Sequence, residues 1–255
     1  MPSTTQSSAL AAQACRNCEA QLDQENAYCA RCGQAVAARI TMHEIGRDMW
    51  QAIVSVDRSA VSLIAALLVR PGVVARDYVA GRRKRYFGPF AFLLITVGLA
   101  SAIIALSGFK AFMSNNPNDI VDFLQQHVNW VILMQVPLLA LCTRMLFYEQ
   151  GLNYAEHLVL ASFASSLRAL FLGFVVIPYW YVLRPPTTDP NGIYIYFALW
   201  LGYFGMAGAQ FYNGRRVWSW VRAALAALLA QLATIGLVAL ATFLYSRYAA
   251  QSTGG

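Results

Sequence analysis

The chain has 255 residues, 58% of them apolar and 12% charged, against about 25% charged in a typical soluble domain. That balance, with a mean hydropathy of +0.47, excludes both an ordinary soluble domain and a disordered chain. Its 19 Lys and Arg against 12 Asp and Glu still leave a net charge of +7, so the few charges must be sorted in space.

Residues 1–14 are mostly Ser, Thr, Gln and Ala and read as a flexible tail. No apolar run within 1–40 is long enough for a signal-peptide core, so the N-terminus is expected to remain uncleaved. Four of the five cysteines follow within residues 15–34, as Cys15-Arg16-Asn17-Cys18 and Cys29-Ala30-Arg31-Cys32. Thiolates two residues apart can bind one edge of a tetrahedral ion, and a second pair completes the site, so the spacing predicts a zinc ribbon. Gly33 suits the tight turn after the second pair, whereas Glu19 in the equivalent place suits it less. Two disulfides in a secreted domain are the alternative, which a cytoplasmic N-terminus disfavours. Four protein ligands leave no open position, so the metal is expected to hold the fold rather than to react. Nucleic-acid binding by the ribbon is not expected, because Arg16, Arg31 and Arg39 are balanced by Glu19, Asp23 and Glu25.

Residues 41–86 read as amphipathic membrane-surface helices. Thr41-x-x-Glu44 has capping-box spacing. Met49, Ile53, Val56, Ala60, Leu63 and Leu67 then recur at helical steps opposite Asp48, Gln51, Ser55, Arg58 and Ser62. The apolar run Ala60 to Val69 is too short to span, and Pro71-Gly72 ends it. Lying on the bilayer is the preferred reading, with packing against the bundle as the alternative.

Five apolar stretches follow within 87–245, at 87–109, 128–148, 154–178, 193–212 and 217–245. Each is near the roughly 20 residues that cross a bilayer as a helix. The connections contain breakers: Asn115-Asn116-Pro117-Asn118, Arg184-Pro185-Pro186 through Gly192, Asn213-Gly214, and a short junction around Glu149 to Asn153. Pro137 should bend the second span. Residues 246–255 read as a tail.

Arg70, Arg76, Arg82, Arg83, Lys84 and Arg85 precede the first span, Arg144 ends the second, and Arg215 and Arg216 separate the last two. Lys110 and Arg184 fall on the opposite side, with Arg247 as an exception. The bias predicts a cytoplasmic N-terminus and an external C-terminus in a bacterial inner membrane.

The cysteine pairs, with Tyr28-Cys29-Ala30-Arg31-Cys32-Gly33-Gln34, resemble the zinc-ribbon module at the start of many bacterial membrane proteins. The stretch from Arg70-Pro71-Gly72 through Gly81-Arg82-Arg83-Lys84-Arg85-Tyr86-Phe87-Gly88-Pro89-Phe90 is similar to the signature of a bacterial family known as domain of unknown function 3667. That resemblance implies a membrane protein without an assigned reaction. The spans have only a general likeness to other five-helix membrane proteins, the Yip-type trafficking group among them. Physically, the signature is an approach to the bilayer: Pro71-Gly72 ends one helix, Gly81 releases the chain, and Pro89 sits in the first turn of the span. Arg82 to Arg85 could hold anionic lipid headgroups; a topology signal alone is the alternative.

Arg168 stands near the centre of the third span, where a charge is costly and should face the bundle interior. His157, Ala161, Ala164 and Arg168 form one stripe, with Ser165 beside it. Gln135, Gln210 and Gln231 are candidate partners. The stripe reads either as an anion or proton path or as a structural clasp between helices. Gly202, Gly205 and Ala209, with Ala223, Ala226, Ala227 and Ala230, are expected to let the last two helices approach closely. Cys142 is an apolar packing residue.

No catalytic constellation is found. His43-x-x-x-x-Asp48 has acyltransferase spacing without an accompanying phosphate-binding block, and Glu156-His157 lacks the second His of a zinc-protease motif. No nucleophile elbow, phosphate loop or dinucleotide motif occurs. The expectation is an all-α membrane protein of five transmembrane helices preceded by an amphipathic helix and a small N-terminal zinc ribbon. Its expected role is a non-enzymatic adaptor or assembly factor that lies in the lipid bilayer and binds a protein partner through the ribbon. A transporter or channel component using the Arg168 stripe is the alternative, and a lipid-modifying enzyme comes last.

Overall fold

The computed structural model describes residues 14–22, 28–34, 40, 42, 59–83, 86–108, 128–183 and 191–252. The capping box at Thr41, the amphipathic residues up to Arg58, the His43–Asp48 pair, Lys84, Arg85, Lys110 and Arg184 lie outside them. Among the described residues the regular structure is helical, while residues 14–22 and 28–34 form turns, with an antiparallel bridge between Ala14 and Gln21.

Two short helices, α1 (Ser59–Val69) and α2 (Pro71–Val79), precede the longer ones among the described residues. Pro71 opens α2 at the first helical position, where its missing amide costs nothing. Helices then cover all five apolar stretches: α3 (Pro89–Ser107), α4 (Val128–Leu146), α5 (Tyr154–Phe171), α7 (Asn191–Phe211) and α8 (Arg216–Ser252). A π-helical segment, Leu172–Val176, carries α5 into α6 (Ile177–Leu183). Pro89–Ser107, Tyr154–Val182 and Arg216–Tyr245 are long and apolar enough to cross a membrane, and Trp130–Leu146 is a shorter apolar helix. Helix α8 runs on through 246–252, so these residues are helix rather than the expected tail.

The start of α5 is fixed by a complete capping box. The Asn153 side chain accepts from the Glu156 amide at 2.9 Å, and the Glu156 carboxylate accepts from the Asn153 amide at 2.8 Å. Helix α5 is the centre of the bundle, buried almost continuously from Ala155 to Leu167.

Helices α1 and α2 pack against this bundle, the alternative to the preferred surface reading. Leu67, Val74 and Ala75 are fully buried, and Tyr78 meets Phe163 of α5 edge-on at 5.8 Å. A side chain on Gly72 would collide with the Ala207 carbonyl of α7, so the signature's Pro-Gly permits close approach as well as ending α1. Gln210 clamps that break, accepting from the Gly72 amide at 3.1 Å and donating to the Val69 carbonyl at 3.3 Å. Arg76 donates twice to the Phe211 carbonyl at the end of α7, a favourable place for a cation. The opposite side of α1, at Val61, Leu68 and Val69, stays exposed.

The last two helices close on small residues, in a register one step from that expected. Gly205 faces the Trp220 ring and Gly208 faces Ala223, while Gly202 has no neighbour within 4 Å of a Cβ and Ala209 is only partly buried. Ala223, Ala226, Ala227 and Ala230 are all fully buried.

Candidate metal centre and intramembrane arginine

The two cysteine pairs form matching knuckles. The Glu19 amide donates to the Cys15 carbonyl and the Gly33 amide to the Cys29 carbonyl, each at 2.8 Å. The Cys15 amide then donates to Ala20 and the Cys29 amide to Gln34, again at 2.8 Å. Each turn needs a left-handed residue after its second cysteine. Gly33 has φ +68° and Glu19, the residue that looked unsuited, takes φ +61°.

The knuckles bring Cys15, Cys18, Cys29 and Cys32 together with all four Sγ atoms within 4.8 Å of one another. Cys15 and Cys32 are 3.7 Å apart, and Cys18 and Cys29 are 3.6 Å apart. Sulfurs bound at about 2.3 Å to a tetrahedral zinc stand about 3.8 Å from each other, so the donor set fits such an ion. The thiols are also poised unequally. At Cys32 the Gln34 amide, reinforced by Asn17 and two thiols, outweighs burial and lowers the pKa to about 6. At Cys18 the Ala20 amide pulls downward, but burial and the three neighbouring thiols push the value up to about 12.

The knuckles are seated on the bundle. The Gln34 side chain donates to the Gly81 carbonyl, and the Arg16 side chain packs over Gly81. Nearby, Asn153 donates to the Ile40 carbonyl at 2.9 Å, and Gln150 and Asn213 exchange two hydrogen bonds that tie the α4–α5 and α7–α8 connections together. The cysteine cluster therefore shares one end of the bundle with Arg76, Arg82, Arg215 and Arg216.

The four-cation stretch is divided where it can be seen. Arg82 pairs with Asp77 at 2.8 Å, and Asp77 also accepts from Tyr86 at 3.0 Å. Arg83 lies over the Tyr78 ring at 5.9 Å.

Arg168 is partly buried and held by three other helices. Its Nε donates to Tyr196 Oη at 2.9 Å, Nη1 to Gln135 Oε1 at 2.6 Å and Nη2 to Gln231 Oε1 at 3.2 Å. Gln135 Nε2 donates to the same Gln231 oxygen at 2.6 Å. The guanidinium carbon lies 4.7 Å from the centre of the Trp200 ring and 5.3 Å from that of Tyr196. Gln135 and Gln231 are thus partners as expected, and Gln210 is not. The aromatic members were hidden in the sequence because Tyr and Trp in an apolar run read equally well as lipid-facing. His157 belongs to a different cluster, its Nδ1 2.8 Å from Tyr212 Oη under a Tyr212–Phe147 stack at 3.7 Å.

Fold and sites define an all-helical bundle of membrane type carrying a four-cysteine cluster suited to a metal. Residues 64–100, from α1 into α3, match the family model described as Protein of unknown function (DUF3667), the family that the Arg70 to Phe90 stretch resembles. No curated protein and no solved structure matches the chain.

Proposed function

We propose that the protein is a five-helix integral membrane protein, in a bacterial inner membrane with its N-terminus cytoplasmic. It acts as a non-enzymatic adaptor or assembly factor whose zinc-bearing knuckles present a protein-binding surface at the membrane. The observation that carries this reading is the four-cysteine cluster hydrogen-bonded through Gln34 to the α2–α3 elbow. A metal with four thiolate ligands holds its loops in shape and has no vacancy for substrate, and seating it on the bundle fixes that shape relative to the bilayer. Affinity capture with the intact chain and with residues 1–40 removed tests this: a partner lost on truncation supports it, and an unchanged set of partners contradicts it.

A transporter or channel component is the second reading. It is favoured by the composition of the Arg168 cluster, a full positive charge inside an apolar bundle whose hydrogen-bond partners are all neutral. Replacing Arg168 with Leu would abolish flux in reconstituted vesicles under this reading and would leave partner capture intact under the first.

A further inference from the structure

We propose that the Arg168 cluster is a binding site for one small monovalent anion of the halide or nitrate class. This deepens the second reading above by naming its ligand. The argument is a count of donors and acceptors at one place.

A guanidinium has five N–H groups, and Arg168 spends three of them. The acceptors it meets are spent in turn: Gln231 Oε1 receives from both Arg168 and Gln135, Gln135 Oε1 receives from Arg168, and Tyr196 Oη receives from Nε. What remains is donors. Two guanidinium N–H groups, the Gln231 amide, one Gln135 N–H and the Tyr196 hydroxyl hydrogen have no acceptor among the described residues.

Trp200 adds an independent sign. The Arg168 guanidinium carbon lies over its ring and the residue is 4% exposed, yet its indole N–H is buried without a hydrogen-bond partner. An orphaned buried donor of this kind needs an explanation. With the cation over the ring face and the unpartnered N–H at the ring edge, an acceptor that carries negative charge and sits where edge and guanidinium meet answers both needs.

Position restricts the ligand. Arg168 is about 21 Å along α5 from the end that carries the knuckles, at 1.5 Å per residue. Between them the stripe is closed at His157, Ala161 and Ala164, all at most 1% exposed. Among the described residues Tyr196 lies about 8 Å, and Gln135 about 11 Å, from the ends of α7 and α4 farther from the knuckles. One positive charge is neutralised by one negative charge. A divalent anion would remain charged in an apolar setting at a large desolvation cost.

The Trp200 contact supplies the readout. The full-length chain in a neutral detergent would be titrated with iodide, ionic strength being held constant with gluconate, and tryptophan fluorescence followed. The expected result is a saturable quenching component that chloride reverses, and that is lost in both Trp200→Phe and Arg168→Gln. Quenching of the wild-type chain that is strictly linear in iodide and indifferent to chloride would overturn the site, whether or not any variant folds. A saturable component that survives in both variants would overturn it too. Saturable binding without anion flux in reconstituted vesicles upholds the site and removes the transport reading.

Discussion

Gly81 turns with φ +100° while the Arg16 side chain lies 2.7 Å from where a Cβ would stand. A side chain here meets both backbone strain and the ribbon. Gly81→Ala should therefore cost about 1–3 kcal/mol, and it should open residues 15–34 to proteolysis before the helices melt, as a time course of digestion would show. Neither feature is visible in the sequence, because a single glycine before a basic run reads as a simple helix stop. The Glu19 turn was similarly unreadable: knuckle geometry imposes φ +61° on a residue with no local preference for it. Glu149 gives a weaker prediction. Its pKa is lowered, first by its own backbone amide and then by the bidentate Arg222 partner. A lowered folded-state pKa gives stability that is present above the unfolded carboxylate's value and lost as pH falls through the folded one. The ion pair lost in Arg222→Ala should then be worth no more than about 1 kcal/mol, because Glu149 is exposed and Arg222 only partly buried. The ion-pair part of the difference from wild type should vanish in melts taken on the acid side, leaving the contact of Arg222 with the Phe147 ring.

Helices α2, α7 and α8 meet through backbone contact at glycine, and this separates glycines that the sequence treats alike. Gly72 abuts the Ala207 carbonyl and Gly208 abuts Ala223, but Gly202 faces open space. Gly72→Leu and Gly208→Leu should each destabilise the bundle by at least about 1–3 kcal/mol through overpacking, whereas Gly202→Leu should change stability by less than about 0.5 kcal/mol. Thermal melts in one detergent compare all three. The five helices themselves were legible because a run of about 20 apolar residues bounded by Pro, Gly and Asn has few other solutions. The π-helical segment Leu172–Val176 was not, since nothing in Leu-Gly-Phe-Val-Val marks an extra residue in a turn. It lies where Gly173 meets Ala100 and Ile103 of α3. The docking of α1 and α2 was half legible: their apolar faces were clear, but a face that suits lipid suits a neighbouring helix equally.

Charge and aromatic residues mark two levels on the whole molecule. Trp218, Trp220 and Tyr148 are exposed at the end that holds the knuckles, while Trp130, Tyr179, Tyr181, Tyr194 and Tyr245 are exposed toward the other. Trp220 and Tyr245 stand about 37 Å apart along α8, near the spacing of the two interfaces where such rings collect. The cations at the knuckle end are the positive excess of the composition. The proposed five crossings predict that a cysteine introduced at Gly214 and one at Gly192 label from opposite faces of sealed vesicles; labelling from the same face would remove a crossing between them. The donor set that the Cys-x-x-Cys spacing predicted is assembled here, and its seat on the bundle ties cysteine cluster, elbow and basic end into one unit. The most direct test is metal analysis of the full-length chain purified under reducing conditions. About one zinc per chain is predicted, lost when Cys15 and Cys29 are replaced by Ser. A metal-free chain with its thiols reduced, or a metal content unchanged by those substitutions, would contradict the account.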